Sequence, residues 1–163
     1  ALLKPMYYRE FFMKKNIIIS LIFLFLGFFF GFFYREYTKS IRFVNIYTPL
    51  GLVHVHFLAL GVILILVLGL VAKNLSSYHK KLYNVSLIGY SAGVFMTGVM
   101  LFVRGIFHCE SIANSLEVSA MQEGIISGIS GISHIVLSVF LILIFISFLI
   151  KKKETSEIEG GRE

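Results

Sequence analysis

Two histidines, His54 and His56, stand in the first turns of an apolar run that extends from Leu50 to Ala72. A third, His134, lies within another apolar run, roughly 15 Å in from its start at 1.5 Å per residue; His56 is roughly 9 Å in from its own. An ionisable side chain at membrane depth is costly and marks a functional position by default. The chemistry these residues offer is ligation, because neutral imidazole is the commonest protein ligand for haem iron, copper and zinc. Arg35, Glu36 and Arg104 lie at the ends of neighbouring runs. The arginines would offset anionic groups such as a haem propionate, and Glu36 would orient a histidine or arginine. The candidate metal ligands are therefore His54, His56, His134 and Glu36, and the candidate cofactor-binding residues are His54, His56, His134, Arg104 and Arg35. The competing reading makes His54 and His56 a hydrogen-bonded pair near the interface and lets Arg104 snorkel outward.

Four apolar runs position these residues, at about 17–34, 50–72, 82–107 and 124–150. Each is long enough to cross a bilayer as a helix. The 163 residues are 57% hydrophobic, well above a soluble domain, and mean hydropathy is +0.85. The expected fold is an all-α integral membrane four-helix transmembrane bundle over 13–152. Residues 1–12 are expected to be an N-terminal tail, either a non-native addition or an upstream extension, because Met13-Lys14-Lys15-Asn16 reads as a natural start. Residues 153–163 form a charged tail. Thr48 caps the second run, with Pro49 in its first turn. Tyr34, Tyr37, Tyr47, Tyr78 and Tyr83 are expected to supply the aromatic belt of a chain with no Trp.

The formal charge of +6 does not indicate nucleic acid, because the basic residues sit between apolar runs. With four spans both termini share a side, and that side holds eleven Lys and Arg against four on the other. Both termini are therefore expected in the cytoplasm. His54, His56, His134, His108, Arg35, Glu36 and Arg104 then fall in the outer half, and the inner half reads as almost purely apolar. The single cysteine, Cys109, excludes an internal disulfide and any Cys-based metal motif. No nucleophile–base arrangement, phosphate loop or carboxylate pair points to hydrolytic or transfer chemistry.

Small residues suggest which faces meet. Gly51, His54, Leu58 and Gly61 share one face of the second run; Ser86, Tyr90, Gly93, Thr97, Met100 and Arg104 form a stripe on the third. Ser127, Gly131, His134 and Ser138 form one on the fourth and are expected to face other helices. His54 and His56 differ by about 200° around the helix, so they cannot point at one spot, and His54 is the better inward candidate. Gly-rich faces also predict a homo-oligomer in contact with the lipid bilayer.

Several stretches carry a family resemblance: Phe33-Tyr34-Arg35-Glu36 with Thr38-Lys39, Leu50-Gly51-Leu52-Val53-His54-Val55-His56 with Leu60-Gly61, Val103-Arg104-Gly105-Ile106, and Ser127-Gly128-Ile129-Ser130-Gly131-Ile132-Ser133-His134-Ile135. From about Met13 to Lys152 the chain resembles a family of small four-helix bacterial membrane proteins known as domain of unknown function 2871. That implies a multi-pass protein of the bacterial cytoplasmic membrane and supplies no activity. The local pattern His54-x-His56-x4-Gly61 is similar to a segment of larger haem- and copper-containing membrane proteins linked to nitric oxide stress, and more distantly of haem-copper oxidases. This implies haem or copper ligation, although those proteins have many more helices. The expected function is haem or metal binding in redox or gas sensing. The alternatives are a small transporter or channel subunit using the same histidines for protons or ions, and a cofactor-free interaction protein.

Overall fold

The computed structural model describes residues 4–42, 47–75, 77–115 and 118–150, with side chains described from residue 13 onward. The chain forms four long helices, α1 (Lys4–Ser40), α2 (Pro49–Asn74), α3 (Lys80–Ala113) and α4 (Ala120–Leu149). Each is long and apolar enough to cross a membrane, so the protein is an integral membrane four-helix bundle. The first helix begins at Lys4, so the stretch expected to be a tail is helical from there; Pro5 falls in the first turn, where it costs no hydrogen bond. Glu117 and the tail 153–163 lie outside the described residues.

The end of α1, the start of α2, the end of α3 and the start of α4 meet at one end of the bundle, called distal here because it is opposite the chain termini. Thr48 caps α2 as expected, its Oγ1 accepting from Leu50 N at 3.3 Å and donating to Gly105 O on α3 at 3.4 Å. The buried Cys109 thiol contacts the same oxygen at 3.4 Å, which makes it a packing group. Tyr37 donates to Glu110, and Asn114 Nδ2 donates to the other carboxylate oxygen at 2.6 Å, which ties α1 to α3.

α2 is not uniform. Its first turn, Pro49–Gly51, is a tight 3-10 turn, and Phe57–Leu64 is a wide π segment. Side chains from both neighbours bind carbonyls in or just after that segment. Tyr90 Oη donates to Leu60 O at 3.1 Å, Ser20 Oγ to Val62 O at 3.5 Å and Asn16 Nδ2 to Ile65 O at 2.9 Å. Asn16 also donates to Tyr83 Oη at 2.7 Å. The half nearer the chain termini, expected to be almost purely apolar, is therefore not so: Asn16, Ser20, Tyr83, Ser86 and Tyr90 are all buried there. Tyr78 and Tyr83 are core residues rather than belt residues, and their rings meet Phe148 of α4.

Aromatic rings fill the space between α1, α2 and α3. Phe57 is fully buried and lies 5.8 Å from Phe23 and 5.6 Å from Phe30, and Phe30 meets Phe102 at 5.2 Å. Gly98 leaves room for Phe57, and Gly105 lets the backbone of Leu50 approach α3. The expected stripe on α3 is buried from Ser86 to Met100, and Arg104 at its end is exposed.

The expected stripe on α4 points the other way. Ser127, Gly131, His134 and Ser138 are exposed, whereas Ser133, Leu137 and Ile144 face α3. A close approach needs a small residue on only one side, and α3 supplies it. A Cβ on Gly93 would stand 2.8 Å from Leu137 backbone atoms, and one on Gly89 would strike Phe140. Nothing lies within 4 Å of a Cβ placed on Gly124, Gly128 or Gly131.

These glycines separate two outcomes. Gly105→Ala is expected to lose about 1–3 kcal/mol in an SDS unfolding titration, because its methyl group meets backbone rather than a movable side chain. Gly128→Ala should lose nothing and gain up to about 1 kcal/mol through helix propensity. Equal effects at the two sites would contradict this packing.

Candidate functional site

The two histidines of α2 flank Val53 and Phe57, which are fully buried and point into the bundle. Neither imidazole therefore occupies the centre. His54 leans toward α1. Its ring stacks on Tyr34 with centroids 6.3 Å apart, and Gly31 makes room for it. The rest of the predicted face follows the same course, with Gly51 against Tyr34, Leu58 against Gly27 and Gly61 against Phe23. The shared face is real, and its partner is α1.

His56 leans the opposite way, toward α4. Its ring meets that of His134 edge-on, with centroids 6.3 Å apart and planes at 66°. The pair joins residues 78 apart in sequence, and the small-residue criterion pointed away from His56. The reason is that α4 presents no buried stripe there, so contact with it does not require small residues on α2.

The pair has chemistry in common with a ligand set. His134 Nδ1 lies 2.8 Å from Ser130 O. A carbonyl only accepts, so the imidazole proton sits on Nδ1, and in the neutral ring the lone pair is on Nε2. A backbone carbonyl fixing the tautomer in this way is the usual arrangement behind a ligating histidine. His56 Nε2 is a buried nitrogen without a hydrogen-bond partner; His54 Nδ1 and Ser86 Oγ are in the same position. Such groups are uncommon and call for an explanation. His56 alone has another imidazole facing it. Metal–imidazole bonds of about 2.0–2.1 Å, with roughly an ångström from each nitrogen to its ring centre, place two ring centres roughly 6 Å apart when the nitrogens face each other across the metal. The observed spacing suits one atom between the rings.

The remaining candidates are elsewhere. Arg35 and Glu36 are paired with each other at 3.9 Å, with 78% and 47% of their side-chain surface exposed, and such a pair is worth little. Among the described residues no group of three or more His, Cys, Asp or Glu side chains could hold a metal ion, so Glu36 joins no such cluster. Arg104 lines a cleft of about 700 Å³ where α3 and α4 diverge at the distal end, with Pro49, Phe107, His108, Glu123 and Ile126. Ser127 also lines it. Pro49 and Ser127 each precede a histidine of the pair by seven residues, two helical turns, so the cleft lies about 10 Å distal to His56 and His134 on the same helix faces.

Asn16 and Tyr83 escaped the sequence reading as buried polar residues, and Tyr90, placed on the expected α3 stripe, was not foreseen to bond Leu60 O. Asn16 looked like the flank of a span. Its placement before an apolar run opposite a Tyr-x2-Ser-x3-Tyr stripe was the one available signal.

Comparison with known proteins gives one match. The family described as "Protein of unknown function (DUF2871)" matches residues 13–152, and the chain belongs to it. No curated protein and no solved structure matches.

The tautomer is directly measurable. Side-chain ¹⁵N spectra of the neutral protein are expected to show His134 protonated on Nδ1, and an Nε2–H signature there would contradict the contact with Ser130.

Proposed function

We propose that this DUF2871 member holds a redox metal, as copper or as haem iron, between His56 and His134 in the outer half of the bacterial cytoplasmic membrane. The observation that carries the reading is the pair itself: two imidazoles 6.3 Å apart, one with its tautomer set by Ser130 O and the other with a buried, unpartnered Nε2. The donor set selects among metals. A closed zinc site takes four protein ligands, and the described residues offer no group of even three. Haem would bring its own nitrogen donors, so His56 and His134 would suffice as its protein ligands. Copper accepts imidazole readily. Either metal, when bound, supplies one-electron chemistry, and an open position would add gas binding.

The chain's own residues hold the group. Ser130 orients His134 through its backbone carbonyl. Eleven basic residues at the end that carries the termini, against four at the other, support a cytoplasmic location for both termini.

The test is an absorption spectrum with metal analysis on the full chain, purified in mild detergent after growth with added haem and copper. The wild type is expected to show a Soret band or stoichiometric metal. His56→Ala and His134→Ala should each weaken binding by more than the roughly 10- to 100-fold typical of residues that merely support a ligand. His54→Ala should retain it. A colourless, metal-free wild type would overturn the reading and leave the pair as a proton-handling or packing site. Equal loss in all three variants would remove the distinction between His54 and His56.

A further inference from the structure

The cleft at the distal end contains opposite charges that do not meet. Arg104 from the end of α3 and Glu123 from the first turn of α4 both line it, and both are exposed. Among the described residues the ion pair within 4.0 Å is Arg35–Glu36, so Arg104 and Glu123 are not joined. A simple anion in this cleft would face Glu123, and a simple cation would face Arg104. A ligand carrying both charges satisfies the two residues at once. Phe107 and Ile126 make the remaining wall apolar.

The position selects the ligand further. Arg104 and Glu123 stand where the apolar stretches of α3 and α4 end and begin, which is headgroup depth. The first turns of α4 are uncovered: Met121 is 76% exposed, and Gly124 and Gly128 have no neighbour for an added Cβ. The cleft is therefore flanked by a helix face open to the bilayer. Its volume of about 700 Å³ falls within the range of sites for small molecules.

We infer that this cleft takes a zwitterionic phospholipid, its phosphate on Arg104, its ammonium against Glu123 and the start of an acyl chain along Phe107 and Ile126. Guanidinium is the side chain suited to phosphate, and among the described lining residues the Glu123 carboxylate is the acceptor of full charge. The site is distinct from the histidine pair about 10 Å deeper, and it stands whether or not that pair holds a metal.

Native mass spectrometry on the detergent-purified full chain tests this, with phosphatidylethanolamine and phosphatidylglycerol of matched acyl chains as probes. The wild type is expected to prefer phosphatidylethanolamine by at least about fivefold, the factor one headgroup-level charge contact is worth. Glu123→Gln should bring phosphatidylethanolamine down to the phosphatidylglycerol level, and Arg104→Gln should weaken both lipids. Both side chains are exposed, and unchanged helix content would confirm that the variants fold. His134→Ala should keep the preference, so failure of the metal reading leaves this result untouched. Equal binding of the two lipids by the wild type, or a preference that survives Glu123→Gln, overturns the proposal. Displacement by soluble glycerophosphoethanolamine at the same concentration as the lipid would assign the cleft to a soluble compound and overturn it as well.

Discussion

A bilayer core offers no water to hydrogen-bond a polar group, so every polar atom placed there must find a partner within the protein. Most of the architecture follows from that constraint. Short hydroxyls satisfy it locally: Ser91, Thr97 and Ser133 each donate to the carbonyl four residues earlier, at 2.7, 2.8 and 2.8 Å. Longer side chains satisfy it across helices and so hold the bundle together. Tyr90 reaches from α3 to Leu60 O within the π segment of α2, and Asn16 reaches from α1 to Ile65 O just after it. Wide turns of this kind are rare and recur at functional sites. Here the π segment begins at the residue after His56.

Shape supplies the rest. Phe23 and Phe30 of α1 pack on Phe57, Phe102 of α3 packs on Phe30, and glycines on α3 admit Phe57, the Leu50 backbone and Leu137. Hydrophobic burial gives no drive for helix association in lipid, so close contact and cross-helix hydrogen bonds must provide it. That explains why Gly98 and Gly105 sit under bulky neighbours, while the glycines at the start of α4 sit under none. At the distal end residues of α3 and α4 line the cleft, and His134 on α4 is exposed.

How much of this was legible in the sequence depended on whether a feature was local. The four spans, the Thr48 cap and the buried face of α3 follow from periodicity and nearest neighbours, and they stand as expected. The π segment was not legible, because the side chains that bond to carbonyls in and just after it, Tyr90, Ser20 and Asn16, lie 30 to 49 residues away in sequence. The direction of the α4 stripe misled for a related reason: small residues permit close approach without saying which of two facing helices needs them. His54 and His56 could be separated by angle but not assigned to neighbours. The pairing of His56 with His134 is a tertiary fact, readable only once α2 and α4 are placed.

The account rests on His56 and His134 acting as one ligand set. Pulsed EPR on the copper-loaded protein tests that most directly, because echo modulation counts the remote nitrogens of coordinated imidazoles. Two coordinated imidazoles are expected in the wild type and in His54→Ala, falling to one in His56→Ala and one in His134→Ala. A spectrum with no imidazole modulation, or one unchanged in the variant that lacks both His56 and His134, would contradict the claim.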